Sequence, residues 1–257
     1  MSYKEIGLKA ALNAGEILKA NFLDQAVVDG KGQHDIITVS DLQSEEAILN
    51  LLRVHFPSYN YIAEESGTHQ AGSEYTWYID PLDGTSNFAT GNPYFSVSIA
   101  LAYKSDIIFG IVYNPIVNEL YTAEKGKGAF LNNRQIHVNK KNKLSDALIS
   151  SAFTASSADM RKELETFGRL ATNSRKILMN FSPALDLCNI ARGRLDGIVD
   201  IGTTPEDHAA GSLILMEAGG IVENFENAEW NVNKTGIIAT NGTLQKLIAG
   251  LVRQVID

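Results

Sequence analysis

The hydrophobic pattern of the chain changes near residue 145, and this change constrains the fold more than any other feature. From residue 95 to residue 138, apolar and polar residues alternate between turn signals, which predicts an antiparallel meander. Beyond residue 146, short apolar strands alternate with helical stretches, a pattern typical of an α/β unit. We therefore predict two layered units of sheet and helix, residues 1–145 and 146–257, with the functional site at their junction.

Helical and strand periodicity predicts the individual elements. Asp41 is predicted as the N-cap of the second helix, and Pro57 ends it. The predicted helices are about 5–22, 41–56, 157–171, 183–192, 205–218 and 241–255. The predicted strands are 75–79, 95–103, 107–113, 119–123, 129–138, 147–151, 176–179, 197–201, 220–224 and 236–240, and the polar segment 139–145 is the predicted linker.

Composition and charge exclude several classes of protein. Hydrophobic residues make up 44% and charged residues 20% of the 257 residues, which excludes a disordered or collagen-like chain. No apolar run approaches the roughly 18 residues of a membrane-spanning helix. The formal charge of −8 disfavours a nucleic-acid partner. The single cysteine, Cys188, excludes an intrachain disulfide and indicates a cytoplasmic protein, and we expect this thiol to be a buried helix residue.

The most informative segment is 79–88, which reads Ile-Asp-Pro-Leu-Asp-Gly-Thr-Ser-Asn-Phe. Its two carboxylates, Asp80 and Asp83, stand three residues apart around a proline that restrains the backbone. Gly84 allows the backbone to approach a ligand, and a short helix starting at Thr85 and Ser86 would offer N–H groups to an anion. The combination indicates a metal and phosphate site, although a simple turn remains an alternative, since Asp, Pro and Gly are common turn residues.

Two further acidic elements carry weaker signals. Glu64 and Glu65 follow an apolar strand-like segment, and they are either metal ligands or a solvated edge. Glu206 and Asp207 follow Pro205 at a predicted helix start, where acidic residues are also favoured by the helix dipole alone.

Taken together, these elements resemble the inositol monophosphatase family, in that family's order and over essentially the whole chain. The resemblance rests on Lys31 with Asp35-Ile-Ile-Thr38 and Asp41, Ala63-Glu64-Glu65-Ser66, the segment 79–88, and Asp207-His-Ala-Ala-Gly211 with Glu217-Ala-Gly-Gly220. It implies the layered αβαβα sandwich of inositol monophosphatases and related sugar phosphatases.

The resemblance also implies roles for individual residues. Two or three Mg²⁺ ions, with Mn²⁺ as a substitute, would be bound by Glu64, Asp80, the carbonyl of Leu82, Asp83 and Asp207. With Glu64, the hydrogen-bonded pair Asp41 and Thr85 would activate the attacking water. The N–H groups of Gly84 and Thr85 would hold the phosphate beside Ser86, Asp83 and Asp207. Glu65 would orient a water, and Lys31 would lie on a mobile loop near the metals. The oxygen-only donor set favours Mg²⁺ or Mn²⁺ over Zn²⁺.

Three positions depart from the family pattern on the side of the substrate alcohol. Glu206 takes the place of a tryptophan, and Phe181-Ser182-Pro183-Ala184 takes the place of Gly-x-Ala-Ala. Pro183 has no N–H for the hydroxyl contact that inositol-cleaving members make at this position. Asp200 replaces a glutamate that contacts another substrate hydroxyl, so we expect a shorter reach there.

The resulting prediction is a Mg²⁺-dependent, lithium-sensitive, homodimeric hydrolase that acts on a small phosphorylated metabolite without forming a phosphoenzyme. Inositol monophosphate is the default substrate. The alternatives with the same chemistry are fructose 1,6-bisphosphate, a 3′(2′),5′-bisphosphate nucleotide and histidinol phosphate. An alternative of another class is a regulatory protein that binds a macromolecule and for which catalysis is secondary.

Overall fold

A computed structural model describes residues 1–23, 27–29, 36–151, 160–225 and 229–256. The helices are α1 (Tyr3–Asn21), α2 (Val39–His55), α3 (Thr85–Ala89), α4 (Met160–Asn173), α5 (Pro183–Ala191), α6 (Pro205–Glu217) and α7 (Gln245–Ile256), with a 3₁₀ turn at Leu144–Asp146. The strands are β1 (Val27–Asp29), β2 (Ile37–Thr38), β3 (Asn60–Ala63), β4 (Gly67–His69), β5 (Tyr75–Asp83), β6 (Ser96–Tyr103), β7 (Asp106–Asn114), β8 (Glu119–Glu124), β9 (Ala129–Leu131), β10 (Arg134–Ile136), β11 (Leu148–Ser151), β12 (Lys176–Leu178), β13 (Gly197–Asp200), β14 (Ile221–Glu223) and β15 (Ile237–Thr240).

An eight-stranded sheet forms the first β layer, in the order β10-β9-β8-β7-β6-β5-β3-β4. Its pairings are antiparallel except for the parallel pair of β3 and β5. The central strands β6 and β7 are buried on both faces, because both faces of this sheet are covered by helices. On one face, Ile6 of α1 and Ile48 of α2 pack with Trp77 and Ile99.

The other face of this sheet packs on α5 and α6, which also cover the second sheet. Tyr78 and Val112 of the first sheet share one core with Leu187 of α5, Ile214 of α6 and Ile198 of the second sheet. This core explains why α6 is buried almost all round rather than amphipathic.

The second sheet has five strands in the order β12-β11-β13-β15-β14, with β12, β11 and β13 parallel and the remaining pairs antiparallel. Its outer face packs Ile149 and Val199 against Leu170 of α4 and Ile248 of α7. The layers are therefore helix, sheet, helix, sheet and helix, and the predicted αβαβα sandwich is confirmed. The division of the chain near residue 145 stays a prediction.

Two predictions of local structure were wrong. Asp41 is not the N-cap of α2, because Thr38 occupies that position and Asp41 is the third helical residue of a capping box. The strand predicted to end before Asp80 continues to Asp83 with a register shift against β6 between these two residues. The structure also contains a short exposed strand, β4, that the sequence pattern did not indicate.

None of the helices in the described ranges is long and apolar enough to cross a membrane.

The close crossing of α5 and α6 depends on Gly211. A Cβ atom at this position would lie 2.8 Å from Cβ and Cδ1 of Leu187 and 3.2 Å from the carbonyl oxygen of Ala184. Because both helices are buried, neither backbone has open space to move into. We therefore expect the crossing to tolerate no side chain at residue 211.

Gly211→Ala is expected to lower the free energy of unfolding by about 1–3 kcal/mol, the usual cost of overpacking. Gly168→Ala is the matched control, because Gly168 is exposed within α4 and a Cβ there meets nothing within 4 Å. The control should raise stability by about 0.5–1 kcal/mol through the better helix propensity of alanine. Urea unfolding of both variants checks the prediction, and equal stability of the two would contradict it.

Candidate active site

Segments distant in the sequence meet around one cavity of about 360 Å³. Its floor and walls come from the end of β3, the end of β5, the start of α3, the turn before α5 and the start of α6. The lining residues are Ile36, Glu64, Asp80, Leu82, Asp83, Gly84, Thr85, Ser86, Phe181, Pro183, Gly202, Thr204, Glu206 and Asp207. All the predicted metal-binding residues are among them.

An irregularity in β5 directs two carboxylates into this cavity. Side chains three residues apart on a regular strand point to opposite faces of the sheet. The register of β5 against β6 shifts between Asp80 and Asp83, as at a β-bulge, and both residues line the cavity. A β-bulge changes the direction of a side chain in this way. Pro81 is tolerated at this irregular position because proline has no N–H to donate to a neighbouring strand.

The parallel pairing of β3 and β5 places Glu64 beside Asp80. Ala63 is in register with Ile79, and the N–H of Glu64 donates to the carbonyl of Ile79 at 3.1 Å. The charge of Glu64 helps to raise the pKa of Asp80, as expected of two carboxyl groups that lie close together.

Hydroxyl and amide donors orient the remaining carboxylates. The hydroxyls of Ser182 and Ser96 both donate to Oδ2 of Asp83, at 2.5 Å and 3.1 Å. The N–H of Thr204 donates to Oδ2 of Asp207 at 2.8 Å. Because each carboxylate is held through one named oxygen, its direction toward the cavity is set before any ligand binds.

Asp41 and Asp207 occupy the same position in two different helices. Each is the third residue of a helix whose N-cap is a threonine, and each carboxylate accepts the backbone N–H of that threonine at 2.8 Å. The capping box therefore fixes both carboxylates locally. The packing of α2 and α6 then determines where they lie.

Asp41 reaches the cavity through Thr85. The carboxylate of Asp41 is fully buried, and its Oδ2 accepts both the N–H and the hydroxyl of Thr38. The hydroxyl of Thr85 lies 3.1 Å from Oδ1 of Asp41 and 3.0 Å from the carbonyl of Leu82. Burial raises the pKa of Asp41, so this carboxylate has an increased affinity for a proton.

The acidic cluster shifts its own pKa values upward. Burial raises the pKa of Asp80 well above its usual value, and the charges of Glu64, Asp83 and Asp207 raise it further. Burial also raises the pKa of Asp83 strongly and that of Asp207 to about 6. Carboxylates this close cannot all be charged without a compensating cation.

The donor set fits a hard divalent cation. Carboxylate and carbonyl oxygens are the ligands that Mg²⁺ and Mn²⁺ prefer. Within residues 1–23, 36–151, 160–225 and 229–256, no three acidic, histidine or cysteine side chains stand at the mutual spacing of a finished metal site.

Gly84 allows the backbone to pack closely where the cavity wall meets the start of α3. Its φ is +96°, and a Cβ there would lie 3.1 Å from the carbonyl oxygen of Tyr94 and 3.2 Å from that of Phe181. A larger residue would be excluded by both the backbone conformation and the space. The predicted short helix is confirmed as α3, which begins at Thr85 directly after Gly84.

The structure separates the other predicted site residues into three groups. Pro183, Glu206 and Ser86 line the cavity. Glu65 lies close enough to Asp41 for its charge to raise the pKa of that carboxyl. Lys31 lies outside the described residues.

Asp200 is not among the residues that line the cavity, and its predicted contact with a substrate hydroxyl stays a prediction. Its carboxylate is buried and accepts the N–H groups of Gly202 and Thr203, each at 3.1 Å. These two hydrogen bonds fix the loop that follows Asp200, and Gly202 of this loop lines the cavity. Burial raises the pKa of Asp200 to about 7, and the charge of Asp207 adds to the effect.

Several positioning residues were missed by sequence reasoning. The carboxylate of Glu45, which is buried, accepts the N–H groups of Glu65 and Ser66 at 2.8 Å and so fixes the loop that follows Glu64. Ser96 and Ser182 orient Asp83 in the same way. These contacts join residues far apart in the chain, and serines and a first-turn glutamate have no local pattern that signals them.

Asp186 supports the wall formed by the turn before α5. Its buried carboxylate accepts hydrogen bonds from Tyr94 at 2.5 Å, from Asn180 at 2.7 Å and from the hydroxyl of Ser150. Burial raises the pKa of Asp186 to about 6. The amide of Asn87 binds the same turn from the other side, donating to the carbonyl of Asn180 at 2.6 Å.

Two other residues belong to the core. Cys188 is buried in α5, as predicted, and burial raises the pKa of its thiol, which disfavours the nucleophilic thiolate. His208 is buried with its ring edge-on to Trp230 at a centroid distance of 6.0 Å, and burial lowers its pKa to about 4.

Comparison with known proteins identifies the class of enzyme to which this layered fold and acidic cavity belong, a phosphatase hydrolase. The model of the inositol monophosphatase family matches residues 2–257. Inositol monophosphatase 2 of Solanum lycopersicum is 38% identical over 251 residues, 95% of each chain.

Two bacterial relatives carry a different name. Nus factor SuhB of Haemophilus influenzae is 35% identical over 252 residues, covering 96% of this chain and 94% of that protein. The crystal structure of the extragenic suppressor protein suhB of Bartonella henselae superposes with a TM-score of 0.92 at 32% identity, covering 98% of both chains. The chain belongs to the inositol monophosphatase family, whose members are generally metal-dependent.

Asp186→Asn is expected to change the pH dependence of stability. The folded pKa of Asp186, about 6, lies above the unfolded value of about 3.9, so protonation favours the folded state. This contribution is present at pH 4 and is lost as the pH rises through 6, at a cost of up to about 3 kcal/mol. Asparagine removes the titration, so the unaltered protein should lose stability relative to the variant between pH 4 and pH 7.

Urea unfolding without divalent cations, repeated across that pH range, measures this difference. Asp146→Asn, at an exposed position, is the control for removing one carboxyl group. Profiles of the unaltered protein and of Asp186→Asn that run parallel would show that Asp186 does not titrate in this way.

Proposed function

We propose that this protein hydrolyses a small phosphate monoester by direct attack of water, with Mg²⁺ as the cofactor. The observation that carries the proposal is the convergence of Glu64, Asp80, Asp83 and Asp207 on one cavity, next to Thr85. Membership of a phosphatase family supports it.

The residues that would hold two or three Mg²⁺ ions, or Mn²⁺ in their place, are Glu64, Asp80, the carbonyl of Leu82, Asp83 and Asp207. When bound, such ions supply the positive charge that acidifies water and offsets negative charge on a departing alkoxide. The hydroxyls of Ser96 and Ser182 would hold the carboxylate of Asp83 in the direction of the ions. Glu45 fixes the loop after Glu64 by accepting the N–H of Glu65.

Thr85 and Asp41 would move the proton. When the Thr85 hydroxyl donates to Oδ1 of Asp41, the lone pairs of its oxygen face the cavity and accept a proton from water. The raised pKa of Asp41 suits it to receive the proton that Thr85 passes on. The N–H groups of Gly84 and Thr85, at the start of α3, would hold the phosphate oxygens.

On the substrate, the family supports a polyol phosphate such as inositol monophosphate. The alternatives are fructose 1,6-bisphosphate, a 3′(2′),5′-bisphosphate nucleotide and histidinol phosphate. We also propose inhibition by millimolar lithium, a homodimer and a cytoplasmic location, each of which follows from the family resemblance or from cysteine usage.

A panel of phosphorylated metabolites assayed for phosphate release with Mg²⁺ separates the substrates.

A second candidate function is binding of a macromolecule, with catalysis secondary. The relatives named Nus factor SuhB favour this candidate. The two functions are separable, because only hydrolysis requires the carboxylate of Asp83.

Asp83→Asn is expected to lower kcat for phosphate release by at least about 100-fold, because an amide oxygen is a weaker ligand for the cation. The amide oxygen can still accept the hydroxyls of Ser96 and Ser182, so the fold should be retained. Asp146→Asn is the control and should keep full activity. Hydrolysis at an undiminished rate in the Asp83 variant would contradict the proposed site, and loss of hydrolysis with an unchanged cellular effect would favour the second candidate.

Mg²⁺ is expected to stabilise the folded protein, since it relieves the repulsion among the buried carboxylates. At 100 times the dissociation constant, linkage gives about 2.7 kcal/mol. Thermal melts over a Mg²⁺ titration measure the effect, and Asp83→Asn should show a smaller rise in Tm. A melting temperature that does not respond to Mg²⁺ in the unaltered protein would argue against a cation site.

A further inference from the structure

Phe181 combines three properties that are rarely found together. Its backbone is in the left-handed region, with φ +53°. Its side chain is 44% exposed although it is large and apolar, and the residue lines the acidic cavity. A bulky side chain in the left-handed region is a genuine outlier, because its Cβ crowds the neighbouring carbonyl oxygen.

The residues on both sides of Phe181 impose this conformation. The amide of Asn180 donates to Asp186 at 2.7 Å, and its carbonyl accepts the amide of Asn87 at 2.6 Å. The hydroxyl of Ser182 donates to Asp83 at 2.5 Å. The turn is therefore fixed whatever residue occupies position 181, and glycine would occupy it without steric cost. Strain of this kind persists where the surroundings over-determine the backbone, and it clusters at functional sites.

Two further lining residues add apolar groups to the cavity. Pro183 lines the same cavity and has no N–H to offer a substrate hydroxyl. Ile36 also lines the cavity and is 37% exposed. The lining thus includes, as well as the acidic residues, these three apolar ones. A polyol hydroxyl placed against them would give up its hydrogen bond to water without replacement.

We propose that Phe181 determines substrate specificity by packing its ring against a planar, unsaturated ring on the alcohol part of the phosphate ester. Aromatic rings bury a large apolar area and prefer offset or edge contacts with other rings. The site therefore favours ring-bearing alcohols over polyols. This inference rests on the proposed phosphatase function, and among the substrates proposed for that cavity it favours those with an unsaturated ring in the alcohol part over the polyol phosphates.

The test compares four esters of primary or ring alcohols in a phosphate-release assay with Mg²⁺. They are 2-phenylethyl phosphate, 2-cyclohexylethyl phosphate, glycerol 1-phosphate and myo-inositol 1-phosphate. Each is assayed with the unaltered protein, with Phe181→Gly, which removes the ring, and with Phe181→Tyr, which keeps it. Thermal melts verify that both variants are folded.

We expect the unaltered protein to prefer the phenyl ester over the cyclohexyl ester and over both polyol esters, as measured by kcat/KM. Phe181→Gly should lower kcat/KM for the phenyl ester about tenfold relative to glycerol 1-phosphate, which corresponds to about 1.4 kcal/mol. Phe181→Tyr should keep the ratio of the unaltered protein within about twofold.

Three results would overturn the inference: a polyol ester as the better substrate, equal kcat/KM for the two ring esters, or an unchanged ratio in a folded Phe181→Gly variant. A failure of the proposed function is a different result, in which the unaltered protein releases phosphate from none of the four esters.

Discussion

Repulsion among buried carboxylates is the interaction on which the rest of this structure depends. Glu64, Asp80, Asp83 and Asp207 lie around one cavity, and burial, with a further contribution from neighbouring negative charges, raises the pKa values of the three aspartates. Such a cluster opposes folding unless protons or cations neutralise it. The surrounding donors, Ser96, Ser182 and the N–H of Thr204, each lower that cost while they fix the direction of a carboxylate.

The fold brings these charges together with ordinary devices of secondary structure. An irregularity in β5 directs Asp80 and Asp83 into the same cavity, and a parallel neighbour places Glu64 beside them. Two capping boxes, one on α2 and one on α6, hold Asp41 and Asp207 by the same local geometry. Tertiary packing then positions the capped helices. Because α6 lies between the two sheets, its first turn places Asp207 at the cavity.

Much of this arrangement was predictable from the sequence, because periodicity and motif spacing are local signals. Hydrophobic periodicity predicted six of the helices and the strands from β5 onward, and the segment around Asp80 and Asp83 predicted the acidic site. Pro81 reads as a strand terminator, so the continuation of β5 to Asp83 was missed. We predicted Asp41 as the N-cap because an acidic residue is favourable both at the N-cap and as the third residue of a helix. The structure shows that Thr38 is the N-cap and that Asp41 is the third residue.

Other features had no sequence signal at all. Asp200 accepts the backbone N–H groups of Gly202 and Thr203, two contacts that no sequence pattern indicates. Glu45, Ser96 and Ser182 act across long sequence separations, where a single chain gives no indication of partners. The left-handed conformation of Phe181 is imposed by Asn180, Ser182 and their partners rather than by any preference of phenylalanine. The residue proposed to determine substrate choice was therefore less predictable than those that would hold the cation.

The most direct measurement is an anomalous difference map from crystals of this protein soaked in Mn²⁺. Our account predicts peaks within the cavity, each in contact with carboxylate oxygens of at least two of the residues Glu64, Asp80, Asp83 and Asp207. A map with fully occupied Mn²⁺ elsewhere on the protein and none among these side chains would contradict it.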